Sequence, residues 1–393
     1  MFYVKNIKIK NKFHDSLQSL TLFVNCSIHQ NGLIIQIIMS AFHLIRNTVK
    51  NINILHNIRK YSSQNYHTIF NTEFSVIPFC HLNIQGGFHL NIIPLDVHKY
   101  INADKVFVNF ISPDPKNIDI PECKLDNDVI TITSNNCSDC TELICNIEAP
   151  VKANVQATVS TGNIHISNFQ GDHVLLGTKS GDISVENCYC QKIELHSEAG
   201  NIICKKVLQA SDTSLTTGNF GSITANKLQG INLIASTVNG HIRTESTYFK
   251  DSFFSSETGP LHLLNAHKNC KVHIKSKGEL NLIRFDGVLE AILKEGKANI
   301  QLSRIEADSK IIVDEEGELN LKLFESCQQT ISLKIVGQDI RLNDNLQMTL
   351  LKENDNLILT GENTNGPKLN ITAPKSKINV EGATISDLFS KSL

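Results

Sequence analysis

From about residue 155 onward, apolar and polar positions alternate in short runs punctuated by glycine. Ile183 and Val185, Ile193 and Leu195, Leu280 and Leu282, and Ile311 and Val313 are each spaced by two, the side-chain period of a β-strand. No 12-residue window over this stretch presents a convincing helical face. The glycines that interrupt the runs recur: STGNI (160–164), KSGDI (179–183), EAGNI (198–202), TTGNF (216–220), VNGHI (238–242), ETGPL (257–261), SKGEL (276–280), KEGKA (294–298) and EEGEL (315–319). Gly162, Gly181, Gly200, Gly218, Gly240, Gly259, Gly278, Gly296 and Gly317 are therefore predicted structural corners. The steps between them are 19, 19, 18, 22, 19, 19, 18 and 21, a mean of about 19.4 residues.

A strand–corner–strand unit of this length cannot bury its own apolar face, but a stack of such units can. Coils stacked about 4.8 Å apart pair their strands in parallel ladders and line up Ile, Leu and Val in continuous columns. The expected class is all-β: a parallel β-solenoid with coils of about 19 residues, a flattened cross-section and irregular β-rich caps. A sandwich is the alternative, although nothing in a sandwich asks for a regular 19-residue step. Glycine is expected at the corners because φ is positive there or because another backbone approaches too closely for a Cβ. Asn163, Asp182, Asn201 and Asn219 follow their glycines and suit left-handed turns.

The flanks are also strand-like. Alternating runs fall near His81–Leu95, Lys105–Ile111, Val129–Thr133 and Glu142–Ala149, then at Asp339–Leu342, Met348–Leu351, Leu357–Thr360, Lys368–Thr372 and Lys377–Val380. Ile385–Leu393 is read as a short terminal helix. The predicted organisation is a basic leader at 1–61, an N-terminal β-rich cap at 62–150, solenoid repeats at 151–345 and a C-terminal β cap and tail at 346–393.

Charge sharpens this division. The formal net charge is only -2. Residues 1–61 nevertheless hold eight basic residues and one acid, Asp15, whereas the remainder holds 29 basic and 38 acidic residues. The leader is thus +7 and the rest is -9. From Met39, Phe42, Ile45, Val49, Ile52 and Leu55 recur at helical spacing, with Arg46, Lys50 and Lys60 about 100° around. A basic amphipathic helix without acids is the composition of a mitochondrial presequence. Arg59-Lys60-Tyr61-Ser62-Ser63 predicts processing at Tyr61–Ser62 and a matrix location. On that reading residues 1–38 precede the presequence as an upstream extension. A secretory signal fits less well, because the apolar run Leu33–Ile38 is interrupted by Gln36.

The Gly-Asn/Asp-Ile corners and the run Ala149-Pro150-Val151 resemble the adhesin-like toast-rack type of domain. The corners from Ser160 to Leu319, the run KLQG (227–230) and Ala373-Pro374-Lys375 resemble more closely an uncharacterised animal group called family with sequence similarity 185. The resemblance spans roughly residues 74–393. It implies a β-solenoid and, for the animal branch, a mitochondrial location. It brings no catalytic residues.

Signs of chemistry are sparse. Cys137-Ser-Asp-Cys140 is a CxxC without a second pair at metal-ligand spacing. Cys188 and Cys190 flank Tyr189 on one strand and read as small packing residues; in a reducing matrix all cysteines are expected to be free thiols. Lys179 and Glu198, two before their glycines, can pair across one rung, and Lys277, Glu295 and Glu316, one before theirs, read as a solvated ladder and not as an acid/base dyad. His165 and His241 sit three and one after their glycines and do not stack. GxGxxG, GxxxxGK[ST], GxSxG and HExxH are missing from the sequence. No catalytic residue, cofactor or metal site is predicted. An acidic mature chain without a lysine–aromatic stripe disfavours nucleic acid, and no run of 18 clean apolar residues predicts an integral membrane segment.

The reading is therefore a non-enzymatic mitochondrial binding or scaffold protein that meets a protein partner on a solenoid face. The irregular step around Phe220 and the aromatics Tyr248, Phe249, Phe253 and Phe254 mark where a partner docks, unless those rings simply pack inside. The alternatives are a carbohydrate-active or other enzyme on a β-helix, and an adhesin-like surface protein.

Overall fold

The computed structural model describes residues 66–114, 120–134, 142–353, 356–361 and 366–383. The leader, Tyr61, Ser62, Cys137, Cys140 and the 385–393 segment lie outside the described residues. The chain opens with β1 (His67–Ser75), β2 (His81–Gly86), β3 (His89–Pro94), β4 (Lys105–Ser112), β5 (Glu122–Asp126), β6 (Val129–Thr133) and β7 (Ile144–Ala149). Next come β8 (Asn154–Thr161), β9 (Ile164–Ser167), β10 (His173–Ser180), β11 (Ile183–Ala199), β12 (Ile202–Thr217), β13 (Ile223–Thr237), β14 (Ile242–Ser256) and β15 (Leu261–Leu264). The long β16 (His267–Ile305), β17 (Ser309–Val313) and β18 (Gly317–Phe324) lead to the six-residue helix α1 (Glu325–Thr330). Then β19 (Ser332–Leu342), β20 (Thr349–Glu353), β21 (Asn356–Thr360) and β22 (Lys368–Ala383) complete an all-β, solenoid-like fold whose strands join in one hydrogen-bonded sheet.

Each central coil has three sides. In the coil that starts at Gly181, the first side is Ile183–Glu186, paired in parallel with Ile202–Lys205. The chain turns at Asn187 (φ 54), runs through a short second side at Cys188–Cys190, and turns again into the third side, which begins at Lys192. The second corner falls six residues after its glycine in five coils, at Asn168, Asn187, Lys206, Asn265 and Arg284, all with positive φ. Three of these are asparagine, the non-glycine residue that tolerates this region most readily.

The strand period sends every second side chain inward. On the first side, Ile164, Ile183, Ile202, Ile223, Ile242 and Leu261 stand in register, followed by Leu280, and all are fully buried. On the third side Leu195, Leu215, Ala235, Phe254 and Val272 form a second column. Burial of each Ile or Leu is worth about 1.5–3 kcal/mol, so the columns hold the coils together. Fold class follows from this alternation, because a repeated inward residue has only the next coil to pack on.

Parallel coil pairing is not confined to residues 151–345. β2 pairs in parallel with both β6 and β8, and β3 with both β7 and β9. The first coil in the chain thus lies between the second and the third. β4 covers β7 in antiparallel fashion, β1 covers β4, and β5 covers β6. The other end repeats the device. β22 pairs in parallel with β17 and β18 on one side and with β19 on the other. β21 and β20 then follow β19 as antiparallel strands. Antiparallel cover at both ends shields ladder edges that would otherwise template further strands.

Candidate binding surfaces along the glycine corner

The first-corner glycines stack into one column. A Cβ on Gly181 would overlap the carbonyl oxygen of Gly162, one on Gly200 that of Gly181, and one on Gly259 that of Gly240. Positive φ adds a requirement at Gly162 (φ 126) and Gly181 (φ 144); at Gly200, Gly240 and Gly259 crowding alone excludes a side chain. Gly278 is tight against Ile274 Cγ2 at 2.7 Å, and Gly296 and Gly317 continue the column over the carbonyls of Gly278 and Gly296.

One position is corrected. The column passes through Gly221, not Gly218: Gly221 sits on the Gly200 carbonyl, and Gly240 in turn sits on that of Gly221. Gly218 lies on the carbonyl of Glu198 instead, three residues early. The apparent 22-residue step is therefore 19 residues from Gly221 to Gly240, preceded by a 21-residue step that accommodates the extra Asn219-Phe220 turn. Phe220 projects into solvent there, 84% exposed.

Beside the column, the residues after Gly162, Gly181, Gly200 and Gly221 bind the coil ahead. Asn163 Oδ1 accepts the Asp182 backbone N–H (2.9 Å), Asp182 Oδ1 accepts that of Asn201 (2.8 Å), and Asn201 Oδ1 accepts that of Ser222 (3.0 Å). Ser222 Oγ then accepts the His241 N–H (3.2 Å). A polar staircase thus satisfies corner amides that have no ladder partner.

Farther along, charge replaces amides. Gly278, Gly296 and Gly317 floor an open groove of about 820 Å³. One wall carries Lys277, Glu295, Glu316 and, nearby, Lys375; the other carries Glu279, Lys297, Glu318 and Lys377. Lys277 pairs with Glu295, and Lys297 Nζ lies 3.6 Å from Glu318 Oε2, so ion pairs run along the walls from coil to coil. The Asn320 hydrogen bond, helped by Lys297 and Lys377, holds the Glu318 carboxyl below its usual range. An asparagine ladder runs next to it: Asn299 Nδ2 donates to Asn281 (2.7 Å), Asn320 to Asn299 (3.0 Å) and Asn379 to Asn320 (2.7 Å). Lys375, Lys377 and Asn379 all belong to the inserted strand β22, so the end topology completes this groove.

Lys179 and Glu198 are exposed on neighbouring strands. His165 is held below the ordinary histidine value by burial, as is His262, whose ring nitrogen is 3.1 Å from Asn281 Nδ2. Burial pushes Cys188 up to about 11 and Cys190 up to about 12, and both are free thiols of low reactivity. Tyr189 points outward and its hydroxyl meets Asn187 Oδ1 (3.1 Å). Phe249 and Phe254 are fully buried, whereas Tyr248 is exposed and stacks on His267 with centroids 4.5 Å apart. Among the described residues no group of three His, Cys, Asp or Glu is placed to hold a metal ion, and no helix is long and apolar enough to cross a membrane.

Comparison with known families matches residues 116–381 to the Toastrack DUF4097 model. The chain belongs to the Toastrack DUF4097 family. Solved structures with a similar course include a candidate adhesin from Parabacteroides distasonis, 13% identical, covering 81% of this chain and 98% of the other at a TM-score of 0.38. A candidate adhesin from Bacteroides fragilis is 10% identical, with 81% and 97% covered and a TM-score of 0.28. A candidate lipid-binding protein from Parabacteroides distasonis is 12% identical, with 80% and 96% covered and a TM-score of 0.32. None of the three bears on what this Toastrack chain binds.

Proposed function

We propose that this chain is a non-enzymatic binding or scaffold protein, imported into the mitochondrial matrix, where its leader is removed, and that its glycine-floored groove receives a protein segment. The supporting observation is the groove itself. Backbone-smooth glycines form its floor, and Lys375 and Lys377 lie on its walls beside the Glu316 and Glu318 carboxylates. Repeat stacks present long surfaces of this kind to extended partners. The basic leader, with no acid between Asp15 and Glu73, supports import, and the resemblance to the animal branch agrees with it. The coil-to-coil ion pairs support binding over catalysis, since Glu295 and Glu318 are each committed to a lysine.

Proximity labelling with a C-terminally tagged chain tests both parts. The expected outcome is mitochondrial labelling, a mature N-terminus at Ser62, and a reproducible neighbour lost in the double variant Lys375→Glu, Lys377→Glu at unchanged melting temperature. Labelling at the cell surface would overturn the location. A neighbour set indifferent to the double variant would overturn the groove.

A further inference from the structure

A second surface has a glycine that the fold does not need. Gly177 lies in the middle of β10 on the third side, in register with Thr158 on one neighbouring strand and His196 on the other. Its φ is outside the left-handed region, and an added Cβ would meet nothing nearer than Thr158 Oγ1 at 3.9 Å. Neither backbone nor packing excludes a side chain, and glycine inside a strand is unfavourable. Gly177 instead lines an open depression of about 450 Å³.

Its lining is polar and nearly free of net charge. Gln156, Thr158, His196 and Thr216 surround the dent, with half-buried Leu175 on its floor. Glu194 supplies one carboxylate, whose charge Lys192 offsets at 2.8 Å. A neighbouring depression of about 330 Å³ shares Gln156 and Leu175 and adds His81, Asn83 and His173. Together they reach the size of a small-ligand site, roughly 300–1,000 Å³. Hydroxyl, amide, imidazole and carboxylate groups ring a small apolar floor without a cationic cluster. That set suits a neutral polyhydroxylated ring better than a phosphate or a fatty chain.

We propose that this third-side depression binds neutral oligosaccharide, one sugar ring seated over Gly177 and Leu175 and the next toward His81 and His173. The site is separate from the glycine-floored groove, and it adds a ligand class to the binding-protein reading.

Saturation-transfer NMR on the full chain tests it, with maltohexaose, cellohexaose, laminarihexaose and chitohexaose as probes at up to about 10 mM, the weak-binding range. At least one probe is expected to receive saturation. Gly177→Leu, which places an apolar side chain in the middle of the dent, is expected to weaken that signal about tenfold or more without lowering the melting temperature. Glu194→Gln provides a second reading that leaves the shape intact, and weaker binding is expected there too. Retained sugar binding in the Lys375→Glu, Lys377→Glu variant separates this site from the groove. No transfer to any of the probes, or transfer unchanged in folded Gly177→Leu and Glu194→Gln, would overturn the proposal.

Discussion

The middle of the stack and its two ends obey different rules. From β8 to β18, chain order is spatial order, and each coil packs on the coil just made. At the ends, a coil is slotted between two others: β2–β3 between β6–β7 and β8–β9, and β22 between β17–β18 and β19. Stability in a sequential stack is a sum of neighbour interfaces, and a terminal coil with only one interface frays first. Slotting the chain's first and last coils one place inward gives each of them two interfaces. The outermost positions then go to segments capped by antiparallel strands.

The largest expected effect comes from removing one lock. Deleting β22 (Lys368–Ala383) strips β17, β18 and β19 of their shared partner. The loss should approach the stability of an ordinary domain, on the order of 5 kcal/mol or more. Hydrogen exchange should show lost protection at Leu319 and Leu321 while Ile183 and Ile202 stay protected. Uniform loss across all coils would mean that ends and middle are one cooperative block.

A middle coil can be attacked at its corner. Gly259→Val drives a side chain into the Gly240 carbonyl, and overpacking of this kind should cost about 3 kcal/mol in a denaturant melt. A cost near zero would mean that the glycine column is not close-packed.

Asn320→Ala breaks the amide ladder where the middle meets the inserted coil, removing its bonds to Asn299, Glu318 and Asn379. A loss of about 1–2 kcal/mol is expected, and Asn281→Ala, two ladder steps farther from the inserted coil than Asn320, should cost less.

The smallest effect is a pH response in the middle. Burial lowers the folded-state pKa of His165, with Lys205 adding to the shift and Glu186 opposing it. Its neutral form is therefore favoured on folding. Stability is full above the unfolded histidine value near 6.5 and declines as pH falls through the lower folded value, by about 1 kcal/mol or less for a partly exposed ring. Urea melts between neutral pH and about pH 5 should show the decline, and His165→Asn should flatten it.

These contrasts also explain what sequence can reveal. The middle is legible because glycine recurs wherever one carbonyl crowds the next coil and because Ile and Leu recur at the inward positions. Gly218 misleads because it shares a turn with Gly221 and is followed by Asn219, the local signature of a corner; only contact with Gly200 decides between them. The second corner goes unread because it is held by Asn, Lys or Arg and not by a constant residue. End order is invisible for a deeper reason: β22 alternates like any strand, and nothing in alternation says which strand it joins. The charged groove inherits that blindness, since Lys375 and Lys377 meet Glu316 and Glu318 only through the inserted coil. The Gly177 depression has no sequence signal beyond one glycine out of phase with the repeat.

Engineered disulfides test the stacking order directly. Lys310, Asn370 and Lys334 stand in register on three consecutive strands, with Asn370 in the middle. Adjacent parallel strands lie about 4.8 Å apart, within disulfide reach, whereas next-nearest strands are about twice as far. The pairs Lys310→Cys with Asn370→Cys and Lys334→Cys with Asn370→Cys should therefore cross-link in the native protein, and Lys310→Cys with Lys334→Cys should not. Cross-linking of the 310–334 pair, with 370 left reduced beside either partner, would show that the coils follow chain order to the end and would contradict the inserted coil.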